Sequence, residues 1–175
     1  MPYAIRYDRS AAVAYAHRWA YGRNPAYYDY ENLGGDCTNF ASQCLYAGTG
    51  IMDPAPTFGW YYYNANEKAP AWTGVEYFWN FLLRKKTSQG PFAREVSLWE
   101  LEAGDFVQLR LDQDRFSHTP VVVRPGTDPE TILVAAHSMD ADYRPLSSYP
   151  YRAVRCLHIL GAILPNGVTP RLFSA

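Results

Sequence analysis

The hydrophobic pattern of this chain changes period once, and that change limits what it can fold into. Before residue 95 the apolar residues recur at i, i+3 and i+4, the spacing of a helix face. "AAVAYAHRWAYG" puts Ala12, Tyr15, Ala16, Trp19 and Ala20 on one stripe, with Asp8 or Ser10 as cap and Gly22, Asn24 and Pro25 as the stop. A second helix starts near Asp36, carries Phe40, Ala41, Cys44 and Leu45 inward, and ends at Gly48 and Gly50. "TGVEYFWNFLLRKK" reads as a third, capped by Thr73 and closed by a basic turn. Beyond residue 95, "GDFVQLRL", "SHTPVVV", "TILVAAHS" and "RAVRCLHILGAIL" are short β-prone runs separated by Gly, Pro and Asp turns. Helices followed by strands predict an α+β domain with an antiparallel sheet. With no repeat, linker or low-complexity stretch, residues 1–175 read as one domain, with a core over 8–164 and a tail over 165–175.

Composition removes several function classes. The 16 basic and 17 acidic residues nearly cancel and form no run, so no footprint for nucleic acid or an anionic membrane is visible. No apolar stretch approaches the roughly 20 residues that span a bilayer. The N-terminus lacks the apolar core of a signal peptide, which predicts cytoplasmic synthesis, with action at the cell wall left open. Three cysteines without a C-x-x-C pair argue against a disulfide framework and against zinc, and no cofactor or metal is expected.

The stretch "GGDCTNF" carries the candidate chemistry. Gly34-Gly35 permits a tight turn, which sets Asp36-Cys37 at the first turn of the second helix. Free N–H groups and the macrodipole favour an anion there, so a thiol has its pKa lowered and becomes a nucleophile. The same N–H groups can hold an oxyanion. Against this, a free cysteine is often only a small buried hydrophobe. On this stretch alone the two readings weigh equally. A thiol nucleophile needs a base, and four histidines are available. His17 sits on a helix next to Arg18 and reads as surface or edge, and His158 reads as structural. His118 opens one predicted strand and His137 closes the next. If those strands pair around "RPGTDPE", the two imidazoles approach each other as base and orienter, provided the register allows it.

"DCTNFASQCLYAG", followed in order by "GWYYY", "AWTGVEYFWNFL", "GDFVQL", "SHTPVVV" and "AAHSMD", resembles the bacterial Putative amidase domain family. That family is a branch of the papain-like cysteine hydrolases, related to the NlpC-type and CHAP peptidoglycan hydrolases. The resemblance covers roughly residues 8 to 160. It implies a papain-like α+β fold, with Cys37 as nucleophile and His118 as base. It implies His137 as the third, orienting residue, with Asp140 as the alternative. The implied reaction is attack of the Cys37 thiolate on an amide carbonyl, protonation of the leaving amine by His118, and hydrolysis of the acyl-enzyme. The implied substrate is cell-wall peptidoglycan or a peptide.

Asp36 and Asn39 lie beside the nucleophile and are candidate substrate contacts, although Asp36 equally suits a helix N-terminus and Asn39 can tie a loop to the helix. Trp60, Tyr62 and Trp72 are candidates for lining a glycan or peptide groove, against ordinary packing; Phe78 and Trp79 read as core. Two other functions fit the same residues. One is a non-catalytic wall- or peptide-binding module, which has no need of Cys37, His118 and His137 together. The other is an intracellular cysteine peptidase. The oligomeric state is not legible.

Overall fold

The structure, a computed structural model, describes residues 2–85, 88–112 and 114–169. Strand β1 (Ala4–Ile5) leads into helix α1 (Arg9–Trp19), whose first turn is capped by Asp8 accepting from the Ala11 N–H. A long loop then reaches α2 (Cys37–Thr49), which Gly50 ends in a left-handed conformation. A small hairpin, β2 (Tyr62–Asn64) and β3 (Glu67–Lys68), precedes the one-turn α3 (Pro70–Thr73) and α4 (Val75–Leu82). Six strands complete the order: β4 (Gly90–Val96), β5 (Phe106–Arg110), β6 (Val121–Arg124), β7 (Leu133–Ala136), β8 (Ala141–Pro145) and β9 (Ala153–Ile163).

Every pairing in the large sheet is antiparallel, and the strand order is β1-β9-β5-β6-β7-β8, with β4 on the other edge of β9. The long β9 thus pairs with β5 through its first half and with β1 at its end. It can do so because Gly161, at φ +151, lets the backbone of Ile5 pass where a side chain would stand. The result is an α+β arrangement of N-terminal helices on a curled antiparallel half-barrel. One apolar cluster joins Phe40, Ala41, Cys44 and Leu45 of α2 to Phe106, Val121, Ala135 and Leu157 on the inner face of the sheet. A second covers the outer face with Val107, Leu109, Val122, Val134, Leu146 and Tyr149.

Two departures from the sequence expectations matter. The third helix is split at Gly74, which takes an extended conformation, so Thr73 closes α3 and does not cap α4. Strands β4 and β8 carry no clean alternation that would mark them, since "GPFAREV" and "ADYRP" mix proline and charge into the run. Of the expected tail, residues 170–175 lie outside the described residues.

Candidate active site

Helix α2 aims its N-terminus at the start of β6. Gly34 and Gly35 both adopt positive φ, near +100°, as the turn before Cys37 requires. Cys37 is 7 % exposed. Its Sγ lies 3.8 Å from the Ser117 carbonyl oxygen and 3.8 Å from Thr38 Oγ1, and the Thr119 N–H donates to it. The thiol is therefore wedged against the main chain on both sides of His118. Thr38 and Thr119 clamp the contact through their hydroxyls, 3.0 Å apart.

The electrostatics run against the expected lowering of the Cys37 pKa. Burial pushes the thiol up, the Thr119 and Thr38 donors offset only part of that, and Asp36 adds to the rise. Desolvation thus outweighs the hydrogen-bond donors around the sulfur. His118, 3 % exposed, is pushed down to about 4 by burial and by the neighbouring Arg144 guanidinium. Its Nε2 is buried without a hydrogen-bond partner among the described residues. At neutral pH the two groups rest as a neutral thiol and a neutral imidazole.

The expected pairing of His118 with His137 does not form. Strands β6 and β7 do pair, with Val121 opposite Ala135 and Val122 opposite Val134. Continued toward β6's start, that register sets Thr119, not His118, opposite His137. Side chains alternate faces, so a one-residue difference sends the two imidazoles to opposite sides of the sheet. His118 bridges Leu109 and packs on Tyr149 of the outer face, with ring centroids 5.4 Å apart. His137 stacks on Phe40 of the inner face at 4.0 Å. Both its nitrogens are engaged there: Nδ1 with Asp36 Oδ2 at 2.5 Å, and Nε2 with the Trp19 carbonyl at 2.8 Å. Asp140 is also taken, in a two-pronged pair with Arg23.

The five expected substrate contacts are buried. Asp36 points away from the thiol, accepting from the Tyr30 N–H and the Asn39 amide as well as meeting His137. Asn39 donates to the Tyr28 carbonyl and accepts from Trp72 Nε1. Trp60 donates to Ser42 Oγ and lies against Trp72, with centroids 4.6 Å apart, while the Tyr62 hydroxyl accepts from the Tyr28 N–H. Together these side chains brace α2. Asp36 and Asn39 are anchors because a helix buried on every side near its start needs its polar groups paired inside. Of the remaining histidines, His17 meets Asp142 at the surface and His158 meets the buried Asp105, which also holds Arg9.

Tyr149 and Arg144, which flank His118, escape sequence reasoning. Both fall in "DYRPLSSYPYR", where no motif or alternation marks them. Arg144 places its guanidinium 3.7 Å over the Tyr149 ring.

Residues 6–160 match the model of the family described as Putative amidase domain. A protein of Bacillus subtilis (strain 168) named Uncharacterized protein YhbB is 36 % identical over 146 residues, which is 81 % of this chain and 44 % of that protein. The chain thus spans less than half the length of this relative. No solved structure matches.

Proposed function

The chain belongs to the Putative amidase domain family, and we propose that it hydrolyses amide bonds with Cys37 as nucleophile and His118 as base, on a papain-like scaffold. The observation that carries this reading is the seat of the thiol, at a helix N-terminus and against the chain on both sides of His118. A cysteine kept only as filler has no need of that position; Cys44, two turns on and fully buried, is the filler.

The resting protonation states shape the chemistry. A thiol raised by burial and an imidazole lowered to about 4 do not exchange a proton before substrate arrives. His118 takes the proton as Sγ attacks the carbonyl, in general-base fashion, and returns it to the leaving amine. The first N–H groups of α2 have no carbonyl ahead of them in the helix and can receive the oxyanion. Water activated by His118 then releases the acyl group. Neither His137 nor Asp140 is needed as orienter in this scheme.

Cell-wall peptide is the proposed substrate class, by analogy of family. The test is to incubate wild type and Cys37→Ala with purified peptidoglycan and identify the newly freed amines by mass spectrometry. Release by wild type alone supports the proposal, and equal release by both proteins overturns the role of Cys37.

A further inference from the structure

The outer face of the sheet beside His118 carries a positive charge with no carboxylate partner among the described residues. Arg144 lies on β8 opposite Val134 of β7, hence on the outer face with Tyr149. Its guanidinium stacks on the Tyr149 ring at 3.7 Å, and that ring packs on His118 with centroids 5.4 Å apart. Nε donates to Ser148 Oγ at 2.7 Å and Nη2 to the Ser148 carbonyl at 3.2 Å. The fork is thereby fixed in direction, and on its ring side the Tyr149 hydroxyl is its neighbour.

No carboxylate of the described residues pairs with Arg144. The acids in its part of the fold are engaged elsewhere: Asp142 with His17, Asp140 with Arg23, and Asp128 with the backbone of its own turn. Glu130 lines a hollow shared with Tyr149 but forms no ion pair with the guanidinium. The backbone before Arg144 is also unusual. Tyr143 holds a positive φ of 53°, kept by its stacking on His17 and by Asp142 accepting its N–H. A non-glycine residue held there by surrounding contacts fixes the direction in which the chain leaves it, and so the placement of Arg144.

An oriented, half-buried guanidinium with no carboxylate partner among the described residues is suited to bind one from outside, through charge-assisted hydrogen bonds. We propose that Arg144 is a specificity residue that anchors a free carboxylate of the substrate, roughly one or two residues from the scissile amide. This rests on the proposed role of His118 at the reacting centre. The preferred substrates are then amides of acidic or carboxyl-terminal peptides, and the corresponding carboxamides are poor ones. The anchored carboxylate would also neutralise the charge that disfavours a proton on His118, so binding of the right substrate strengthens the base.

The experiment uses Cys37→Ser protein, in which turnover does not interfere, and two probes, N-acetylalanylalanine and its C-terminal carboxamide. NMR titration follows the Arg144 Nε–H and the Tyr149 ring. The expected result is saturable binding of the carboxylate probe at least tenfold tighter than the carboxamide, with the preference lost in a second variant carrying Arg144→Gln. Thermal unfolding of that variant verifies that it is folded, and Arg144→Lys, which keeps the charge but not the fork, should retain part of the preference. Equal affinity for the two probes, including no binding of either, overturns the proposal, as does a preference that survives Arg144→Gln. Because this readout needs no catalysis, it stands apart from the peptidoglycan assay that tests the nucleophile.

Discussion

Asp36 Oδ2 and His137 Nδ1 meet at 2.5 Å with both side chains almost wholly buried, and the ring's other nitrogen faces the carbonyl of Trp19. This pair ties the end of α1, the start of α2 and the end of β7 at one point. It holds the N-terminal end of α2 in place, and both nitrogens of the His137 ring are engaged in doing so. Removing one partner of a buried pair leaves the other unpaired, so His137→Ala should cost about 3–5 kcal/mol of stability in urea unfolding. Assayed where it is still folded, the variant should keep a large share of wild-type kcat. A folded His137→Ala protein without activity would restore the triad role.

His118 contributes to the pH dependence of stability. Its folded pKa, about 4, lies below the ordinary histidine value, so between those two values the unfolded chain binds the proton more readily. Its contribution to stability is complete above about 6.5 and is lost as pH falls toward 4. The loss is about 3 kcal/mol. Unfolding curves taken from pH 7 to pH 4 should therefore be flatter for His118→Gln than for wild type. The same low value predicts an acid limb of kcat/KM near pH 4, with little change between 5 and 8.

Thiol chemistry should be slow at rest. Because burial holds Cys37 above its ordinary value, iodoacetamide at pH 6 should label it no faster than a small free thiol. The rate should climb only toward alkaline pH. Peptide mapping of the labelled protein checks this, and rapid labelling at pH 6 would show a preformed thiolate.

The aromatic segment should act through stability. Asn39→Ala orphans Trp72 Nε1 and leaves the Tyr28 carbonyl without its donor, at a cost of about 1–3 kcal/mol. Trp72→Ala should cost about 3–5 kcal/mol. Trp99, 73 % exposed, should change stability by less than about 0.5 kcal/mol when replaced by Ala. Paired measurements of unfolding and KM separate this from a groove, which would raise KM without lowering stability.

The features legible in the sequence obey local rules. Helices α1 and α2 carry apolar stripes and explicit stops, and the cores of β5, β6, β7 and β9 stand out as branched apolar runs. The glycine turn before Cys37 is legible for the same reason. The relation of His118 to His137 is not, because it depends on a register set across a connecting loop, where one residue reverses the face. The ladder of β6 and β7 contains such an irregularity between Val122 and Arg124. The burial of Trp60, Tyr62 and Trp72 is equally hidden, since composition marks large aromatics without saying which side of the chain faces the core.

The central claim is a covalent one, and intact-mass spectrometry tests it most directly. Wild-type protein turning over an activated amide substrate is quenched in acid and then mapped by peptide. The account predicts a mass increase equal to the acyl group, located on Cys37 and absent from Cys37→Ala. Turnover with no acyl adduct, or with the adduct on another residue, would contradict it.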